Sequence, residues 1–489
     1  MTLEALLTFF GILVAVLAIA RPVQRLSLRL FVPIWRLGVA LLLSMALIVC
    51  RDAPFGVRPP FGWPLDKVVF SLTVGAFIIP VLAALWGWVS WERAKLTPRN
   101  IVRVEDIFSA ALREREFDEV ERIVRKNQEV LQHLPASAVS VLFSPPMVAA
   151  LVGSHSLVHL ELLSNREFLK SLENRFGAVD AVVRELLRAD VSPLRSAVVS
   201  RYGGLEHLPY TNSERTLMEK TFQNPDWYSE TRADYPLTMS AMEALRSGKL
   251  DSEYNGIGRD YEAHQGISKR SSCPVYLAVK IEVLAIAAAL QQRVENDFYV
   301  SNIFDVFSAV QELSQCEEDA WGGDRSNSDY PTPFAFLLYT IIADLFELSC
   351  LAVQSATSKS VPPRVAAPGA VANALAQTWS FCVCSIADSG HQVSPEFRNR
   401  IIKHYLAFIL KLGWQPSEIC FSTDANNVEG LDVWRDLFLD ELIFRFRLGD
   451  IEREALKKAI STMDKGKRYV FEGHPWLKEQ LSTQLGMPL

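Results

Sequence analysis

Between residues 201 and 273 the chain gathers the side chains best suited to recognition. Arg201, Tyr202, Glu206, His207, Asp226, Trp227, Tyr228, Asp234, Tyr235, Tyr254, Tyr261, His264 and Arg270 all fall in this stretch. Trp, Tyr and Arg combine rigid contact area with directed hydrogen bonds, and they dominate interface hot spots. Gly, Asn and Pro between them signal turns, whereas so many aromatics argue against plain disorder. The expectation is an ordered, irregular, loop-built surface. Its candidate ligand- or partner-binding residues are Arg201, Tyr202, His207, Trp227, Tyr228, Tyr254, Tyr261, His264 and Arg270. The competing reading is that these rings pack an irregular subdomain. No nucleophile–base pair can be read from the spacing, so no catalytic residue is assigned and the chain leans away from an enzyme.

Three smaller constellations have residue types that could do chemistry. His155 and His159 lie four apart in HSLVHLE, where a helix would turn both rings toward one metal. Positions 162 and 163 are leucines, so a third ligand is missing, and histidines satisfied by local hydrogen bonds are the better expectation. Cys382 and Cys384 lack the second pair that a structural zinc site requires and read as small buried hydrophobes. Asn255-Gly256-Ile257-Gly258-Arg259 follows no strand and lacks the third glycine of a dinucleotide fingerprint, so it reads as a turn. No cofactor is expected.

The elements that position all of this begin with three apolar runs, at about 3–20, 31–50 and 68–91. Val68 to Trp91 contains no charge, and about 20 such residues in a helix cross a bilayer core. Pro80 near its middle leaves a carbonyl unpaired, so a kink is expected. Trp86, Trp88 and Trp91 cluster at one end, as a headgroup belt would. Arg21, Arg25, Arg29 and Arg36 lie between the first two runs without an acidic residue, and Arg93, Lys95, Arg99 and Arg103 follow the third. In the second connection Arg51, Arg58 and Lys67 are offset by Asp52 and Asp66. The positive-inside rule then places the N-terminus outside and the large C-terminal part in the cytoplasm. Glu4 before the first run, with no Lys or Arg there, opposes a cleaved signal peptide. Arg36 is expected to snorkel toward the headgroups.

The formal charge of the 489-residue chain is −6. Residues 1–100 hold ten Lys/Arg against four Asp/Glu, net +6, which leaves −12 for residues 101–489. So acidic a remainder argues against a nucleic-acid partner. Seven cysteines without a CxxC pair suit a reducing cytosol. Helical periodicity dominates from about Val104 onward, and strand-like alternation is scarce. Val104–Leu131 resembles one unit of a TPR-like or HEAT-like array, with no fixed period after it. Phe334–Ser355 is apolar enough to suggest a fourth span, but Asp344 and Glu347 near its centre favour a buried soluble helix.

The reading is all-α: a three-helix membrane anchor at 1–97 and a helical subdomain at 98–200. A loop-rich segment at 201–274 and a second helical subdomain at 275–489 complete the chain. The layout suits a bacterial inner-membrane protein whose cytoplasmic helices form an interaction or sensor module of a stress- or phage-defence-type system, by analogy of layout. Its expected partners are the lipid bilayer and a protein partner or further copies of itself. The alternatives are a membrane effector whose spans assemble into a pore, and a tethered enzyme using the 201–273 surface.

Overall fold

The computed structural model describes residues 21–32, 34–52, 65–93, 95–98, 100–188, 212–247, 273–294, 300–315, 333–358, 364–389, 393–414, 429–447, 450–464 and 475–486. Every regular element among them is helical, and extended pairing is confined to the isolated bridges Thr357↔Val365 and Arg364↔Glu429. The all-α expectation holds. The 3–20 run lies outside the described residues.

The chain divides into two compact units, Met1–Arg175 and Phe176–Leu489. The first contains α1 (Pro22–Phe31), α2 (Ile34–Asp52), α3 (Leu65–Arg93), α4 (Val104–Glu114), α5 (Asp118–Lys126), α6 (Ala136–Leu142), α7 (Pro145–Gly153), α8 (Val158–Ser164) and α9 (Arg166–Ser171). The Arg-rich connection is therefore a helix of its own, with Val23, Ser27 and Phe31 buried along one face. Val32 is extended (φ −107°, ψ 114°), the conformation favoured before a proline, so the second apolar helix starts at Ile34 instead of Phe31. Phe31 belongs to the buried face of α1 and not to the apolar span expected from 31 to 50.

Helices α2 and α3 pack along small residues. Ala40, Ser44 and Ile48, four apart on α2, are buried, as are Ala76 and Pro80 on α3. Leu47 closes over Ile48 and Ala76. Small side chains there let the two helix backbones approach closely. Ser44 and Thr73 donate to the carbonyls of Ala40 and Val69, each at 2.8 Å, so neither hydroxyl needs a solvent partner. The α3 helix continues through Pro80 without interruption. Its outer surface, with that of α2, displays Trp35, Leu42, Leu43, Val49, Phe70, Leu82, Leu85 and Trp88.

The second unit contains α10 (Arg175–Arg188), α11 (Asn212–Lys220), α12 (Pro225–Thr231), α13 (Asp234–Arg246), α14 (Pro274–Gln291), α15 (Ser301–Gln315), α16 (Pro333–Ala356), α17 (Ala370–Asp388), α18 (Pro395–Trp414), α19 (Leu431–Phe446), α20 (Asp450–Asp464) and α21 (Pro475–Leu485). Its core is aromatic. Trp379 contacts Tyr405 and Phe408 at ring separations of 4.6 and 5.3 Å, and Phe408 lies 4.8 Å from Phe438. The Tyr405 hydroxyl donates to the Phe438 carbonyl at 2.9 Å, which satisfies its one polar group in that core.

Among the described residues, four helices are long and apolar enough to cross a membrane: Val68–Arg93, Pro274–Gln291, Leu337–Ala356 and Ala370–Asp388. They differ in what surrounds them. The protein buries 83%, 56% and 61% of the apolar windows of the last three, but 12% of the first. Inside the second unit Lys280 of α14 forms a buried ion pair with Asp344 of α16. Each charge there meets its opposite on a neighbouring helix, not hydrocarbon.

The connection from α16 to α17, which the Pro and Ser content marks as a linker, is clamped. Val365 N donates to Glu429 O at 2.8 Å, and the Trp434 indole donates to Ala366 O at 2.8 Å. Gly430 makes this possible with φ of +90°, and a Cβ there would lie 2.5 Å from the Val365 carbonyl oxygen. Gly430→Ala is expected to lower the unfolding free energy by about 2 kcal/mol or more through left-handed strain plus the clash. Chemical denaturation followed by far-ultraviolet circular dichroism measures the loss.

Candidate functional site: a polar junction beneath the apolar helix pair

The C-terminal turn of α3 leaves the apolar pair at Trp91 and Glu92, and there the first unit concentrates its buried polar contacts. Helical periodicity places Val120, Ile123 and Val124 of α5 in the core. The same turn delivers Glu119 and Arg122, three residues apart, to the edge of that core. Both are largely buried and form an ion pair. Arg122 Nε donates to Glu119 Oε2 at 2.9 Å, Nη1 to the Trp91 carbonyl at 2.8 Å and Nη2 to Ser27 Oγ at 3.1 Å. The guanidinium also lies 4.8 Å from the centre of the Trp91 ring, within cation–π range.

Ser27 completes the knot from α1. It donates to Glu119 Oε1 and accepts from the Trp91 indole at 3.2 Å. Its hydroxyl is thus held by elements far apart in sequence and acts as a clamp, not a nucleophile. Two flanking contacts reinforce it. Lys126 reaches the Glu92 carboxylate at 2.7 Å, and buried Asn127 accepts from the Leu96 amide at 2.6 Å while donating to the Ile123 carbonyl at 2.8 Å. Ser27, Trp91, Glu119, Arg122, Lys126 and Asn127 are not among the residues that the sequence marks as a site. The i,i+3 Glu119–Arg122 spacing is a visible signal; the pairing with Ser27 spans 92 residues and leaves none.

The expected site fares differently. Arg201, Tyr202, His207, Tyr254, Tyr261, His264 and Arg270 lie outside the described residues. The described part of 201–273 is helical, as α11, α12 and α13. Trp227 and Tyr228 sit on α12 with exposures of 5% and 3%. Trp227 packs edge-on against Phe222 at 5.5 Å. Neither ring is presented to solvent, because both fall on the inward face of a short helix capped by Asn224, whose side chain accepts from the Asp226 and Trp227 amides.

The histidine pair also separates. No single helix carries HSLVHLE: the chain breaks at residues 154–157, where His155 adopts φ of +61°. Only His159 is helical, so the shared face for a metal is not built. His159 is buried, pairs through Nε2 with the Leu142 carbonyl at 2.8 Å, and is pushed down to about 4 by burial. Cys382 is buried and Cys384 lies 3.8 Å from the Arg445 carbonyl. Burial raises both thiols, that of Cys384 to about 12, so neither is a ready thiolate. The Asn255–Arg259 turn lies outside the described residues.

A second polar cluster occupies the interior where α12, α13, α14 and α15 meet. Glu282 of α14 accepts from the Thr238 hydroxyl at 3.0 Å, and its Oε2 has no hydrogen-bond partner among the described residues. Asp234, also buried, receives Arg232 at 3.4 Å and Asn302 at 3.3 Å. Burial is the main cause that raises the Glu282 carboxyl to about 8, with Asp234 and Asp305 adding to it.

Both clusters have measurable consequences. Arg122→Ala leaves Glu119 buried without its cation, and is expected to cost about 3 kcal/mol, against about 1 kcal/mol for Ser27→Ala. Thermal unfolding of the two full-length variants in detergent gives the ranking. Glu282 keeps its proton in the fold up to about 8 but loses it near 4.5 when unfolded. Its contribution is therefore complete below 4.5 and disappears as pH rises through 8. Glu282→Gln is expected to flatten the stability profile between these limits and to exceed wild type at pH 8. Denaturant titrations across that range check the sign.

Compared with known proteins, the chain matches no family model, no curated protein and no solved structure.

Proposed function

We propose that the protein is a membrane-anchored helical interaction module. In this reading α2 and α3 cross the bilayer, the helices after them lie on the cytoplasmic side, and a partner bound by those helices is felt at the membrane. The 3–20 run would supply a further span, with the N-terminus outside. The apolar sheath of α2 and α3 supports the first point, since exposed apolar surface of that extent marks a membrane or an interface. The three other long apolar helices have protein around most of their length and need no lipid.

The observation that carries the proposal is the Ser27–Trp91–Glu119–Arg122 knot. It ties the exit of α3 to α1 and α5 through side chains that are costly to separate. An anchor whose only task is tethering needs a flexible connection. A knot of this kind instead makes a displacement of α5 a displacement of α3. The contact of α1 with α5 also supports placing the Arg-rich connection and the soluble helices on one side of the bilayer, as an even number of crossings between them requires. A bacterial inner membrane, and a place in a multi-protein defence or stress system, are the best fit to the layout.

The test is affinity purification of the detergent-solubilised full-length protein with mass spectrometry of what stays bound. A stoichiometric protein partner is expected. Arg122→Ala should keep that partner but lose the partner-dependent change in labelling at Cys50, which is exposed near the far end of α2. A homo-oligomer without a partner would refute the module and favour the pore.

A further inference from the structure

Helix α1 has two faces with opposite tasks. Val23, Ser27 and Phe31, four residues apart, are buried against the rest of the first unit. Arg25 and Arg29 are exposed, and at 3.6 residues per turn their mean direction lies about 180° from that buried face. Arg21 extends the same stripe and has an exposed contact with Asp118 at 3.9 Å. From Arg21 to Arg36 the chain carries no acidic residue. Within α1 itself, therefore, no carboxylate offsets Arg25 and Arg29.

The apolar helix next in the chain sets the position of this stripe. Val32 and Pro33 alone separate α1 from the start of α2 at Ile34. One turn into α2, Arg36 lies 5.4 Å from the Trp35 ring and 5.1 Å from the Trp86 ring. Tryptophan rings paired with a cation are the side chains that settle at headgroup depth. The face of α1 that meets protein is turned to α3, α4 and α5, so Arg25 and Arg29 lie on the opposite side of the helix from those contacts. Arg93 and Lys95 are exposed at the matching end of α3.

We propose that the Arg25–Arg29 face of α1 is a binding site for the phosphate headgroups of anionic phospholipids. The inference rests on the reading that α2 and α3 span the bilayer, and it deepens that reading by assigning α1 to the membrane surface. The chemistry is charge complementarity between guanidinium groups and lipid phosphates. The occupant is a lipid and not a soluble anion, because the stripe adjoins the apolar sheath that would lie among the same lipids' acyl chains.

The experiment reconstitutes the full-length protein into phosphatidylcholine vesicles containing brominated phosphatidylglycerol or brominated phosphatidylcholine, and reads tryptophan quenching. Carbonate extraction of the same vesicles is run in parallel. Wild type is expected to resist extraction and to prefer the anionic lipid several-fold. Arg25→Gln with Arg29→Gln should resist extraction equally, retain its helical signal and lose the preference. Inorganic phosphate at millimolar concentration should leave the wild-type preference unchanged; displacement by it would identify a soluble-anion site and overturn the lipid assignment. Equal quenching by both lipids in a retained wild type, or an undiminished preference in the double variant, overturns the headgroup site alone. A wild type released by carbonate overturns the membrane reading and the headgroup site together.

Discussion

The Arg122 guanidinium is the group on which the organisation of the first unit depends. It is largely buried, so its charge must be met inside the protein, and the partners that meet it come from three separate helices. Glu119 supplies the countercharge, the Trp91 carbonyl an acceptor at the end of the apolar helix, and Ser27 a hydroxyl from the connection before it. A helix end leaves its last carbonyls without intrahelical partners. Arg122 takes one of these and so converts a normal cost of terminating a long helix into the attachment of the next domain. Removing any member strands the others, which is why the three helices hold one arrangement.

Polar groups in the second unit solve a different problem. Its helices are as apolar as membrane spans by composition, yet they surround one another. Apolar area removed from water by neighbouring helices is the main stabilising contribution there. The Lys280–Asp344 pair and the Thr238–Glu282 contact fix which helix faces which, because a slipped register would leave a buried charge unmatched. The raised carboxyl of Glu282 shows how the fold tolerates such a group: it keeps it neutral. The clamp at Gly430 and Trp434 belongs to the same logic, since it holds a Pro-rich connection against the aromatic core instead of leaving it free.

Much of the helix plan is legible along the chain. The helical periodicity that dominates from about Val104 onward runs through α14, α15, α17 and α19. Their apolar periodicity is long and uninterrupted, and that is the strongest local signal a helix has. The failures are as instructive. The stretch around Trp227 reads as loop because Asn224, Pro225 and Pro236 signal turns, but Asn224 and Pro225 start a helix there. The break at His155 follows Gly153 and Ser154, poor helix formers that apolar spacing alone passes over.

By itself, the order of residues determined the all-helical class, the apolar runs and the asymmetric placement of their flanking arginines. Each of these is a local property: spacing of apolar side chains and the charge beside them. Tertiary structure decided how much of each apolar helix the protein encloses, a ranking that mean hydropathy, 2.5 for Val68–Arg93 against 1.6, 1.5 and 1.3 for the other three, only foreshadows. It alone brought Ser27, Trp91 and Arg122 together and turned Trp227 inward. Those outcomes depend on contacts between residues tens of positions apart, and no local pattern of side chains encodes which distant partner will satisfy a buried donor.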